Sequence, residues 1–187
     1  MDIDPALAKA LGFPKPAYTV VERERRWLCR EVPRALIART ETIVDLYVTG
    51  TRFRLREARP HNGDPAALRL SRKADVDART RLITSIYLPE SEFAVLAAAF
   101  QGARIRKIRH RLKPLPGVVL SADEFEGALK GLRMVEAEFD TAERMAAFAM
   151  PDFATCEVTD DPRYGGGQLA TNGLPPSAAQ DVLTRPG

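Results

Sequence analysis

The segment VVERERRWLC, Val20–Cys29, sets five consecutive charged residues, Glu22-Arg23-Glu24-Arg25-Arg26, between apolar ends. An extended strand sends successive side chains to opposite faces. Glu22, Glu24 and Arg26 therefore share one face, and Arg23, Arg25 and Trp27 share the other. Two carboxylates two residues apart on a strand stand about 7 Å from each other and repel unless a cation or metal lies between them. Such a face meets either bulk water or an interior that holds charge.

The same alternation recurs along the chain. Candidate strands cover residues 17–29, 42–48, 52–58, 67–73, 81–88, 104–113, 118–125 and 132–139. A short helix is expected over 5–11, and a longer one over PESEFAVLAAAFQG between Pro89 and Gly102. Another short helix starts near Asp140 or Thr141, either of which serves as an N-cap. From Gly165 onward the GGG, NG, PP and PG steps predict a flexible tail. Eight strands with few crossover helices predict an α+β, mostly antiparallel architecture, closed as an eight-stranded barrel with a few peripheral helices. The expected division is a helical extension over 1–16, one barrel domain over 17–170 and a tail over 171–187.

The polar face is charged in strand after strand. TRFRLREA sets Arg52, Arg54 and Arg56 opposite Phe53 and Leu55, and LRLSRK aligns Arg69, Ser71 and Lys73. RIRKIRHRLK aligns Lys107, Arg109 and Arg111, and MVEAEF aligns Glu136 and Glu138. With Arg26, Arg81 and Asp123 included, roughly ten basic side chains face five acidic ones. If these faces converge inside a barrel, the positive surplus cannot be buried unmatched. It would call for a polyanionic ligand, water and a divalent ion. If they point outward, they are ordinary solvated faces. Pattern alone leaves both readings open.

Bulk properties narrow the classes. The 187 residues are 45% hydrophobic and 28% charged with a net charge of +3, so no global basicity demands a nucleic-acid partner. RIRKIRHRLK is rich in cations but holds no aromatic residue for base stacking, and nucleic acid is not expected as a partner. Cys29 and Cys156 lack the spacing of a disulfide framework, and with His61 and His110 they make no usual zinc pattern. No apolar run approaches membrane-spanning length, and MDIDPALAKALGF is acidic where a signal peptide is basic. A cytoplasmic location without membrane attachment is the expectation. Trp27, Phe93, Leu96 and Phe100 read as packing residues.

The ordered motifs VERERRW, DLYVTGTRFRLRE, LRLSRK, RLITSIYLPESEFAVL, RIRKIRHRL, SADEFEGALKGLRMVEAEF and EVTDDPRYGGGQLA resemble the CYTH superfamily, the triphosphate tunnel metalloenzymes. The first of them is similar to the family's ExExK signature, with arginine in the last position. The resemblance implies a tunnel of eight antiparallel strands, open at both ends, that binds a triphosphate through Arg and Lys while carboxylates hold Mg²⁺ or Mn²⁺. Members include inorganic and thiamine triphosphatases, class IV adenylyl cyclases and RNA triphosphatases. By position, the resemblance assigns Arg26, Arg54, Arg56, Lys73, Arg81, Lys107 and Arg109 to substrate phosphate. It assigns Glu22, Glu24, Asp123, Glu136 and Glu138 to metal, with Glu136, Glu138 and Lys107 in catalysis and Tyr47 as a gate.

This chain departs from the family at several positions. Ile83 and Ser85 stand where an acidic pair is usual, Ser121 replaces a further carboxylate, and Gly165, Gly166 and Gly167 follow the RY step where basic residues are common. The implied function is a metal-dependent phosphohydrolase acting on inorganic tripolyphosphate or an organic triphosphate. The alternative is a tunnel that binds a nucleotide or polyphosphate without efficient turnover. A homodimer is left open.

Overall fold

The computed structural model describes residues 3–13 and 15–176. Its strands are β1 Val20–Cys29, β2 Ile37–Val48, β3 Phe53–Pro60, β4 Ala67–Asp75 and β5 Thr80–Tyr87. They continue as β6 Gly102–Leu112, β7 Val118–Phe125, β8 Arg133–Phe139 and β9 Ala154–Glu157. The helices are α1 Pro5–Ala10, α2 Glu90–Ala99, α3 Ala142–Ala147 and α4 Gly166–Asn172. Hydrogen bonding runs β5-β4-β3-β2-β6-β7-β8-β1, and β1 pairs back onto β5, closing an antiparallel barrel of eight strands. The ninth strand adds to β1 outside the ring, beside residues 27–29.

Closure follows from the length of β1. Its residues 20–23 pair with β5 while residues 23–28 pair with β8, so one strand bridges the two free edges of the sheet. No edge remains at that seam for another chain to extend. The turn from β2 into β3 uses Gly50 at φ 72°, a left-handed conformation that glycine adopts without strain.

Several expected bounds shift. The first strand begins at Val20 because Pro16–Tyr18 forms a 3₁₀ turn. β2 begins at Ile37, five residues before the expected 42, where it pairs with Leu112. β9 was not foreseen, since ATCE is too short to show alternation. The glycine-rich stretch after Tyr164, expected to be flexible, instead forms α4, capped at its N-terminus by Gly165. The rest of the expected tail, residues 177–187, lies outside the described residues.

The main apolar core lies outside the ring. Trp27, Cys29, Leu112, Val118, Leu120, Val135, Ala137 and Phe139 pack with Val32 and Ala154 against the outer face of β1, β7 and β8. Trp27 is fully buried, with its ring centroid 6.1 Å from that of Phe148, which in turn stands 5.2 Å edge-on to Phe139. Trp27 is thus a packing residue, as its position opposite the acidic face predicts. The N-terminal segment adds a smaller cluster, Ala8 and Phe13 against Ala74 and Leu82. α2 is peripheral: Phe93 and Leu96 are only half-buried, as is Phe100 just beyond it.

Outside the barrel Arg25 ties β1 to β9. Its Nε and Nη2 donate to Glu157 at 2.9 and 2.6 Å, and its Nη1 donates to the Phe148 carbonyl. The Arg25 hydrogen bonds draw the Glu157 carboxyl down to about 2 from its ordinary 4.5. A depressed carboxylate contributes stability that is present above its unfolded pKa and lost as pH falls through its folded one. Thermal unfolding monitored from pH 6 to pH 2 should therefore show part of the acid loss between about pH 4.5 and pH 2. A Glu157→Gln variant is expected to lose less Tm over that window than the wild type; equal losses would remove this pair from the account.

Candidate functional site

Because β-strands alternate, the charged faces turn inward together and line a cavity of about 590 Å³. Of the residues singled out from the sequence, Glu22, Glu24, Arg26, Tyr47, Arg54, Arg56, Lys73, Arg81, Lys107, Arg109, Glu136 and Glu138 all line it. Asp123 lies behind the wall, fully buried, where it holds two of the lining cations. The exposed-face reading of the alternation is thereby excluded: Arg26, Arg54, Arg56, Lys107 and Arg109 are all buried.

The wall formed by β1 and β8 carries the carboxylates. Glu22 accepts from Lys73 Nζ at 2.9 Å, and Glu24 accepts from Arg81 at 2.5 Å. Burial raises the Glu22 carboxyl, but Lys73, Arg81 and Arg54 together outweigh it, and the net direction is downward. Lys73 itself is pushed down to about 8 by burial and by the neighbouring Arg54. Glu138 stands directly across from Glu24 in register. It has no hydrogen-bond or ion-pair partner among the described residues, and burial with the nearby Glu22 pushes its carboxyl up.

The wall formed by β3 and β4 is its electrostatic opposite. Arg54, Arg56 and Arg69 crowd together there, and Arg56 and Arg54 share one carboxylate, Asp45. Asp45 takes the Nε and Nη2 of Arg56 at 2.6 Å each, and Arg54 Nε lies 3.6 Å from it. Burial works against an ionised Asp45, yet Arg56 and Arg54 hold its carboxyl far below the usual range. Arg69 has no carboxylate partner among the described residues, and burial together with Arg56 and Arg54 lowers it. Arg54 Nε is buried with no hydrogen-bond acceptor. Arg26 Nε is likewise unsatisfied, though Glu24 stands 3.1 Å away out of line. Buried donors without acceptors are rare and mark a place for an absent acceptor.

Between the walls, β6 and β7 supply a closed network. Asp123 accepts from Lys107 at 2.5 Å and from Arg109 at 2.7 and 2.6 Å, and Arg109 also binds Glu136. Asp123 therefore acts as the counter-ion of Lys107 and Arg109 and has few lone pairs left for anything else. Ile83 and Ser85 do face the cavity, where Ser85 shares a 2.8 Å hydrogen bond with Ser71. Ser121 is buried and accepts from Arg111. Among the described residues no three acidic, histidine or cysteine side chains come close enough to hold a metal by themselves.

One end of the barrel is filled, in contrast to the expected opening at both ends. Ile105, Phe125 and Met134 pack there with Tyr164 and Leu169, and residues 165–169 line the cavity from above. Arg26 Nη1 donates to the Tyr164 carbonyl at 2.9 Å and fixes the start of this cap. A Cβ at Gly166 would lie 2.0 Å from the Tyr47 hydroxyl oxygen, so only glycine lets α4 settle on that tyrosine. Burial and Asp45 push the Tyr47 hydroxyl up to about 12. Gly166→Ala is expected to lift α4 and lower stability by about 1–3 kcal/mol; an unchanged Tm would show that the helix shifts freely.

Sequence reading passed over Asp45 and Glu41, and set Arg69 on the charged face without giving it a role. Alternation through the true β2 puts Glu41, Ile43, Asp45 and Tyr47 on one face, and a strand begun at 42 leaves Glu41 out of it. Glu41 pairs with Arg111 at 3.0 Å. The two overlooked carboxylates cancel part of the positive surplus, and exposed Arg52, bound to the Leu11 carbonyl, leaves the count.

Comparison with known proteins gives the arrangement its relatives. No family model matches the chain. An inorganic triphosphatase from Nitrosomonas europaea is 35% identical over 85 residues, which are 46% of this chain. That match spans about half the length of the curated relative, 56% of it. The crystal structure of the inorganic triphosphatase NE1496 superposes with a TM-score of 0.55 at 27% identity, covering 81% of this chain and 95% of that one. The chain is similar in sequence to an inorganic triphosphatase and shares the barrel of NE1496. A second structure, the PH1819 protein of Pyrococcus horikoshii, shares the fold at a TM-score of 0.53 and 21% identity, over 67% of this chain and 82% of that one. Among the described residues no helix is long and apolar enough to cross a membrane.

Proposed function

We propose that this chain is a triphosphatase of the CYTH type, hydrolysing inorganic tripolyphosphate or an organic triphosphate inside its barrel with the help of a divalent cation. The observation that carries this reading is the division of charge across one cavity. Unsatisfied arginine donors and a crowd of cations line one wall, and an unpaired carboxyl with its neighbours lines the other. Phosphate oxygens are the acceptors that buried guanidinium groups lack, and arginine takes them bidentately. The inorganic triphosphatase relatives support the reaction class.

Glu138, with Glu24 opposite and Glu22 nearby, fits a hard cation. Mg²⁺ commonly takes one or two carboxylates and completes its shell with phosphate and water. Glu138 is the carboxyl with no cation already on it. When bound there, a divalent ion supplies charge neutralisation to phosphate oxygens. The chain's own residues do the rest. Arg54, Arg69 and Arg26 bind phosphate, while Arg56, Lys107 and Arg109, held by Asp45 and Asp123, present fixed positive charge. Lys73 and Arg81 lie between the walls, bound to Glu22 and Glu24, and orient that acidic pair. Preorganised charge of this kind stabilises a transition state without reorganisation. Glu136 contributes through Arg109, and Tyr47 supports the cap.

The remaining assignments belong to the same reading: a barrel domain over 17–170 with 1–16 as its extension, and a small polyanion as partner in place of nucleic acid. Buried Cys29 and exposed Cys156 suit the reducing cytoplasm. A homodimer is compatible with it. The second reading, binding without turnover, is favoured by neutral Ile83, Ser71 and Ser85 on the β4–β5 wall. Phosphate release from tripolyphosphate, ATP and thiamine triphosphate, each with Mg²⁺ and with Mn²⁺, separates the two. Metal-dependent release is expected. Binding of tripolyphosphate with no release under either metal would establish the second reading, and no binding by folded protein would end both.

A further inference from the structure

We infer that Asp45 is a specificity-determining residue, a built-in anion that limits how long a phosphate chain the cavity accepts. The inference rests on the cavity being the polyphosphate site proposed above. Asp45 is 1% exposed and is the carboxylate that Arg56 and Arg54 approach, with Arg69 beside those two arginines. It occupies the Nε and Nη2 edge of Arg56, the edge a phosphate would take bidentately. It lies next to the filled end, where its register partner is Ile105 and Tyr47 is two residues on.

A phosphate reaching that edge must displace the Asp45 carboxylate and then share a buried space with it. Arg69, with no carboxylate partner among the described residues, serves phosphates without that conflict, and Arg54 Nε, without an acceptor but 3.6 Å from Asp45 Oδ1, marks where the conflict begins. The chain of phosphates therefore ends short of Arg56. Replacing the carboxylate by an amide removes the repulsion, frees the Arg56 fork and offers a donor to phosphate. A ligand with one more phosphate gains most.

The test is calorimetric binding of tripolyphosphate and tetrapolyphosphate to the full chain, wild type and Asp45→Asn, without metal. Wild type is expected to bind tetrapolyphosphate no tighter than tripolyphosphate. In Asp45→Asn the preference for tetrapolyphosphate should rise about tenfold, as expected for a close like-charge contact removed from a partly desolvated site. An unchanged ratio, or equal weakening for both ligands, makes Asp45 a purely structural counter-ion and overturns the inference while leaving the site intact. Should Asp45→Asn not fold, wild type alone decides, because tetrapolyphosphate binding more than about threefold tighter contradicts a charge that stops the chain. Failure of wild type to bind either ligand removes the polyphosphate site and this inference with it.

Discussion

Asp123→Asn is expected to destabilise the barrel by about 3–5 kcal/mol, the usual result of breaking a buried charge network by removing one partner. Asp123 has no exposed surface and holds both Lys107 and Arg109. Asparagine keeps the shape and loses the charge, so two buried cations would be left with Glu136 as their nearby anion. For a chain of this size the Tm should fall by roughly 10 °C. Asp140→Asn, at an exposed position, is the control and should stay within about 0.5 kcal/mol. A loss below about 1 kcal/mol for Asp123→Asn would mean that Lys107 and Arg109 find other partners, and that the network is less closed than its geometry. Since Lys107 and Arg109 line the cavity, polyphosphate affinity should weaken alongside stability.

Glu138→Gln is expected to behave in the opposite way. Turnover of tripolyphosphate with Mg²⁺ or Mn²⁺ should fall by at least about 100-fold, since the variant loses the carboxyl best placed for a cation. Stability at neutral pH should hold or rise. Burial and Glu22 raise the Glu138 carboxyl, so ionisation works against folding there. A raised carboxylate favours the folded state while protonated, and that contribution is lost as pH climbs through its folded pKa. A neutral amide avoids the penalty at pH 7. Retained stability with lost turnover is the mark of a group kept for function at the expense of folding. Turnover within about threefold of wild type would remove Glu138 from the reaction and return attention to Glu22 and Glu24.

The fold was legible because strand alternation is strict. VVERERRWLC read as a strand puts Trp27 opposite Glu22, Glu24 and Arg26, and the structure buries Trp27 in the outer core with those three facing the cavity. The seven cations singled out from the motifs reach one cavity for the same reason. Less was legible where period two had no room to show. β9 is four residues long, and β2 was started five residues late, which left Glu41 outside the strand. Glycine content read as flexibility became α4, because a helix resting on Tyr47 needs a position with no Cβ.

By itself, the sequence determined that charged faces exist, which residues share them, and that the chain is mostly antiparallel sheet. These properties are local, set by the two-residue period of a strand and the chemistry of each side chain. Only the tertiary structure decided which way those faces turn, since a strand reads the same with its charges in water or in a lumen. That decision is made by β1 pairing with both β5 and β8, a contact between distant parts of the chain. It also decided which charges cancel. Asp123 is absorbed by Lys107 and Arg109, whereas Glu138 and the Arg54 Nε are left without partners. Pairing depends on distances of a few ångströms across strands, and the order of residues along one strand does not contain them.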